Sequence, residues 1–96
     1  MSDKIHRALV IDPDARVLAG AVRLLAQKGF HVAGRITPVD SLEYVRRARP
    51  DVVLLGLPFW EEGWGTEILG VSPDTVVLPI VGGAGAPGIR IAAGVA

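Results

Sequence analysis

Few residues in this 96-residue chain have the types and spacing that chemistry needs. Asp12 and Asp14 flank Pro13 and form one acidic pair, which could be the remnant of a divalent-cation site or simply a helix cap. Glu61 and Glu62 form a second pair, but adjacent carboxylates in a loop are ordinarily solvated rather than set apart as acid and base. His6 and His31 are single and have no ligand spacing, so no metal is assigned. Cysteine is absent, which removes disulfides, thiol chemistry and cysteine metal sites. Gly82 to Gly88 is glycine-rich, but it lacks the Lys-Ser/Thr of a phosphate-binding loop, and no cofactor is assigned. The most informative position is Gly56. It closes the run Pro50-Asp51-Val52-Val53-Leu54-Leu55-Gly56-Leu57-Pro58, which reads as a buried strand of a parallel sheet. Chemistry in open α/β sheets gathers outside the carboxyl ends of such strands. At that place this chain has no side chain.

The elements that must position these residues alternate. Arg7 to Ile11 reads as a strand, and Asp12 with Pro13 suits the start of a helix reaching Lys28. Val17, Ala21, Leu24 and Leu25 give that helix one apolar face, and Gly29 stops it. Phe30 to Ile36 is a second, less apolar strand, expected near an edge. Thr37 to Asp40 resembles a capping box. It opens a helix that turns Leu42, Val45 and Ala48 inward and Arg46, Arg47 and Arg49 outward, a solvated basic face. Val52 to Leu55 is the third strand. Leu57 to Gly65 has loop composition, and Thr66 to Gly70 allows barely one helical turn. Residues 74–81 form a fourth strand whose Pro79 demands an edge or an unpaired side. Ile89 to Val95 reads equally as a short helix or a stub of strand. The pattern predicts βαβ units and a parallel sheet.

Composition bounds the function. One small domain is the expectation for residues 1–96, with 82–96 a Gly/Ala-rich tail. Ten cationic residues balance ten acidic ones, which argues against a nucleic-acid footprint. Half the residues are hydrophobic and the mean hydropathy is +0.43, which suggests apolar surface left for a partner. No apolar run reaches the roughly 18 residues of a membrane span. No signal peptide is visible, and a cytoplasmic domain is expected.

Over about residues 7–81 the chain resembles a response-regulator receiver domain. The residues that carry the resemblance are Ala8-Leu9-Val10-Ile11-Asp12-Pro13-Asp14, Leu24-Leu25-Ala26-Gln27-Lys28-Gly29-Phe30 and the run from Pro50 to Pro58. Gly63 through Ile68 continues it loosely. The resemblance implies an α/β, flavodoxin-like sheet in the order 2-1-3-4, here without the usual fifth strand and fifth helix. It also implies a site: a phosphoryl-accepting aspartate ending the third strand, an acidic pair binding Mg²⁺, a hydroxyl ending the fourth strand and a later lysine. Gly56 stands at the acceptor position and Pro13 within the acidic pair. Val81-Gly82-Gly83 offers no hydroxyl, and no lysine follows Lys28. Asp12 and Asp14 are vestiges.

The expectation is therefore a non-enzymatic pseudo-receiver, a phosphorylation-independent interaction or dimerisation module in bacterial signal transduction or transcription control. The fourth strand would keep an open apolar edge, and a homodimer through it is the simplest cover. A regulatory protein is the other candidate partner. Trp60, Trp64, Val76, Leu78 and Ile80 are the candidate interface residues. The alternatives are a small-ligand sensor using the room that Gly56 vacates, with Trp60 as lining, and a piece of a longer protein.

Overall fold

The computed structural model describes residues 6–81 and 90–91. Four strands, β1 (Arg7–Ile11), β2 (His31–Arg35), β3 (Val52–Gly56) and β4 (Val76–Val81), lie parallel. A two-residue strand, β5 (Arg90–Ile91), adds antiparallel to the end of β4, giving the order β2-β1-β3-β4-β5. The helices are α1 (Ala15–Gln27), α2 (Ser41–Ala48), α3 (Leu57–Glu61) and α4 (Trp64–Val71).

The apolar runs explain the layers. β1 and β3 are central strands and helices cover both faces of the sheet, so the residues from Ala8 to Ile11 and Val53 to Leu55 are all core. Alternation divides them. Ala8, Val10 and Leu54 meet Ala21 and Leu25 of α1 on one face. Leu9, Ile11, Val53 and Leu55 meet Val45 of α2 and Ile68 of α4 on the other. β2 is an edge strand, as its weaker hydrophobicity predicts. Pro79 also obeys the rule for prolines in sheets. The Val76 amide donates to the Asp51 carbonyl on the β3 side. Residue 79, three positions on, therefore has its missing N–H on the side away from β3.

The parallel strands take the expected order 2-1-3-4, and β5, which pairs with Ile80 and Val81, fits the stub-of-strand reading of Ile89 to Val95. The rest of the tail reading, 82–89 and 92–96, lies outside the described residues. Several other sequence expectations need correction. The segment expected as loop and a single turn forms two helices. Trp60, Trp64 and Ile68 recur every four residues and pack on the sheet, and Gly63 at φ 93° turns the chain between the helices. Helix α1 is capped by Asp14 rather than Asp12 and starts at Ala15. No capping box opens α2: the Asp40 side chain makes no cap bond, while the Thr37 hydroxyl accepts from the Val39 amide. No helix among the described residues is long and apolar enough to cross a membrane.

Candidate functional site at the carboxyl edge of the sheet

Parallel pairing of Ile11 with Leu55 brings the next residues, Asp12 and Gly56, side by side at the carboxyl edge of the sheet. Asp12 is held from two directions. Its amide donates to the Arg35 carbonyl at 3.0 Å, and its Oδ1 accepts from the Asp14 amide at 2.8 Å. The residue is only 6% exposed. Its Oδ2 lies where a side chain at position 56 would begin: a Cβ on Gly56 would sit 2.6 Å from Oδ2, 3.0 Å from Cγ and 3.2 Å from Asp12 Cα. Real Cβ atoms do not approach oxygen so closely. The space immediately beside Gly56, where a Cβ would stand, is therefore taken by the Asp12 carboxylate.

Burial pushes the Asp12 carboxyl above its ordinary value, and the negative charge of Asp14 adds to the rise. The hydrogen bond from the Asp14 amide opposes both. The two carboxylates do not converge as a cation site would need. Asp14 Oδ1 is turned onto its own helix, accepting from the amides of Arg16 at 2.8 Å and Val17 at 3.4 Å. That is N-cap work, and it satisfies donors the first turn would otherwise leave open. Among the described residues no cluster of three or more acidic or histidine side chains could hold a metal ion.

The candidate interface residues separate into two groups. Trp60 and Trp64 are half-buried and pack with the core beneath α3 and α4, and Trp64 Nε1 donates to Glu62 Oε1 at 3.2 Å. Ile80 is 1% exposed and so unavailable to a partner. Leu78 is half-buried. Val76 is 54% exposed. Sequence reasoning missed four further exposed apolar side chains, Ile36 at 60%, Val39 at 67%, Leu57 at 37% and Leu69 at 42%.

Two hollows indent the surface. One of about 270 Å³ lies at the amino edge of the sheet, between Arg49–Asp51 and Val71–Thr75. Its buried hydroxyls are already spoken for: Thr75 Oγ1 donates to the Pro50 carbonyl at 2.8 Å and lies 2.7 Å from Ser72 Oγ. The other is a slot of about 210 Å³ beside α4, lined by Trp60, Gly63, Gly65, Thr66, Leu69 and Val77. Trp60 does line a hollow, then, but not one opened by Gly56.

Comparison with family models, with curated proteins and with solved structures gives no match.

Proposed function

We propose that this chain is a flavodoxin-like pseudo-receiver, a cytoplasmic module of bacterial signal transduction or transcription control that works by protein contact and not by phosphotransfer. The single observation behind the proposal is the occupant of the acceptor position. Glycine cannot form an acyl phosphate, so the loss is absolute and not a matter of rate. A side chain at that position would begin 2.6 Å from Asp12 Oδ2, so an acceptor there would require Asp12 to move. The nearest remaining carboxylate, Asp14, is committed to its helix. A Mg²⁺ ion held in near-octahedral oxygen geometry has no converging set of side chains here.

Support for a contact role comes from apolar surface. Ile36, Val39, Leu57, Leu69 and Val76 are all exposed, on a domain too small to spare much hydrophobic burial. What remains of the expected β4 edge is narrower than the sequence suggested. Ile80 is buried and its strand end is paired with β5, leaving the stretch from Val76 to Pro79.

The test is incubation of the full chain with acetyl phosphate and Mg²⁺, followed by intact-mass measurement. The expected spectrum is unchanged. A stable increase of one phosphoryl group would overturn the proposal.

A further inference from the structure

The chain is neutral as a whole, but its charges are sorted. Residues 1–49 contain nine of the ten Lys and Arg residues and five of the ten acids, so they carry a formal +4. Residues 50–96 carry the remaining five acids and only Arg90, a formal −4. The fold turns this division along the chain into a division in space. Residues before 50 supply β2 and β1, with α1 packed on them, and later residues supply β3, β4 and β5, with α3 and α4 packed on them. Formal charge is thus positive around β2 and negative around β3 and β4, although α2, which carries Arg46 and Arg47, packs against α4, and Arg90 lies on β5 beside β4.

Each edge also carries exposed apolar side chains. On the β2 side, the loop between β2 and α2 presents Ile36 and Val39, both more than half exposed. The loop is tied down: the Ser41 hydroxyl and amide donate to the carbonyls of Thr37 and Pro38, and Val39 donates to the Thr37 hydroxyl. Arg35 precedes it and Arg46 and Arg47 follow on α2, while Arg49 lies at the opposite, amino edge beside Asp51 and residues 71–75. Asp40 and Glu43 offset them in part, Glu43 by binding Arg46 at 2.6 Å and Arg47 at 3.4 Å. The balance over residues 35–49 stays positive. On the β4 side, the slot beside α4 has Trp60, Leu69 and Val77 among its walls. Glu61, Glu62 and Glu67 are exposed and adjoin its lining residues Trp60, Gly63 and Thr66 in sequence. No Lys or Arg occurs anywhere in residues 50–89.

We infer that the partner is a second copy of this chain, joined through unlike surfaces: the Ile36–Val39 loop of one copy, with its arginines, seats in the acid-flanked slot beside Leu69 of another. The inference rests on the reading of the chain as a contact module. A two-fold contact through β4 would pair two copies of an uncharged strand and gain no charge complementarity, whereas the unlike contact pairs the basic loop with the acidic slot. Such complementarity speeds encounter and rejects the wrong registers.

Two full-length variants at exposed positions test it. Val39→Glu spoils the loop and leaves the slot intact; Leu69→Arg spoils the slot and leaves the loop intact. Circular dichroism confirms that both fold, and light scattering reads mass against concentration. Wild type is expected to self-associate, with affinity falling on the order of tenfold between about 50 mM and about 500 mM NaCl. Each variant alone is expected to be monomeric, and an equimolar mixture to form a 1:1 complex, because one intact loop then meets one intact slot. A monomeric wild type, variants that associate like wild type, or a mixture that stays monomeric would each overturn the inference. Phosphoryl uptake in the mass experiment would instead overturn the underlying reading and leave this result standing.

Discussion

At the amino end of β3 the buried hydroxyls and Asp51 have structural tasks. Thr75 Oγ1 donates to the Pro50 carbonyl, Ser72 Oγ lies against Thr75 Oγ1, and Asp51 Oδ2 accepts from the Arg7 amide at 2.9 Å. At the carboxyl end of the same strand the chain instead presses a buried carboxylate, Asp12, into the space beside a glycine. One end is a hydrogen-bonded clamp between neighbouring segments. The other is a reactive-looking position closed by its own neighbour. Parallel sheets place chemistry at the carboxyl ends of strands. Here that end carries a buried carboxylate, Asp12, which accepts from the Asp14 amide and lies where a Cβ on residue 56 would be.

The sharpest way to break this contrast is to place a carboxylate at position 56. Gly56→Asp is expected to cost about 3 kcal/mol, since its Cβ collides with Asp12 and a second carboxylate arrives beside the first. Gly56→Ala brings the collision without the charge and should cost about 2 kcal/mol. Urea unfolding of both, repeated in an Asp12→Ala background, should show most of the penalty relieved, a coupling above about 1 kcal/mol. Equal penalties in the two backgrounds would mean that the carboxyl end is not closed by Asp12.

At the amino end, Thr75→Val should also lower stability by about 2 kcal/mol, because it leaves the buried Pro50 carbonyl without its donor. No change at Asp12 should relieve that loss, since the two ends share no partner. Asp14→Ala removes only the N-cap of α1 and should cost about 1 kcal/mol in the same assay.

The smallest effect concerns pH. Burial raises the native Asp12 carboxyl above its unfolded value near 3.8, so the native state binds its proton more tightly than the unfolded chain does. This group's contribution is therefore most favourable below the unfolded value and declines as pH rises through the raised native one. Asp12→Asn, which keeps an acceptor for the Asp14 amide, should be more stable than wild type at neutral pH. That advantage should shrink in acid, and thermal melts across pH 3 to 7 would display the trend.

Much of the frame was legible because its signals are local. Apolar runs bounded by Pro50 and Gly56, and the face of Val17, Ala21 and Leu25 stopped at Gly29, determine strands and a helix without outside help. Helices α3 and α4 were obscured because Pro58, Gly63, Gly65 and Gly70 dilute their propensity. Packing of Trp60, Trp64 and Ile68 on the sheet overrides that weakness, and their four-residue spacing was the available clue. The vacancy at Gly56 could be read from sequence; its occupant could not. Whether Asp12 leans over Gly56 depends on the β1–β3 register and on the hydrogen bond from Asp14, and neither is a local property of the chain. The exposed pair Ile36 and Val39 escaped for the same reason, since exposure is decided by what packs above a loop.

The most direct test of the proposed loss of phosphotransfer is the backbone amide NMR spectrum of the chain titrated with Mg²⁺ and beryllofluoride, a phosphoryl mimic. The amide signals of Asp12, Asp14 and Gly56 are expected to stay in place throughout. Saturable movement of those three signals would show a working acidic pocket and contradict the account.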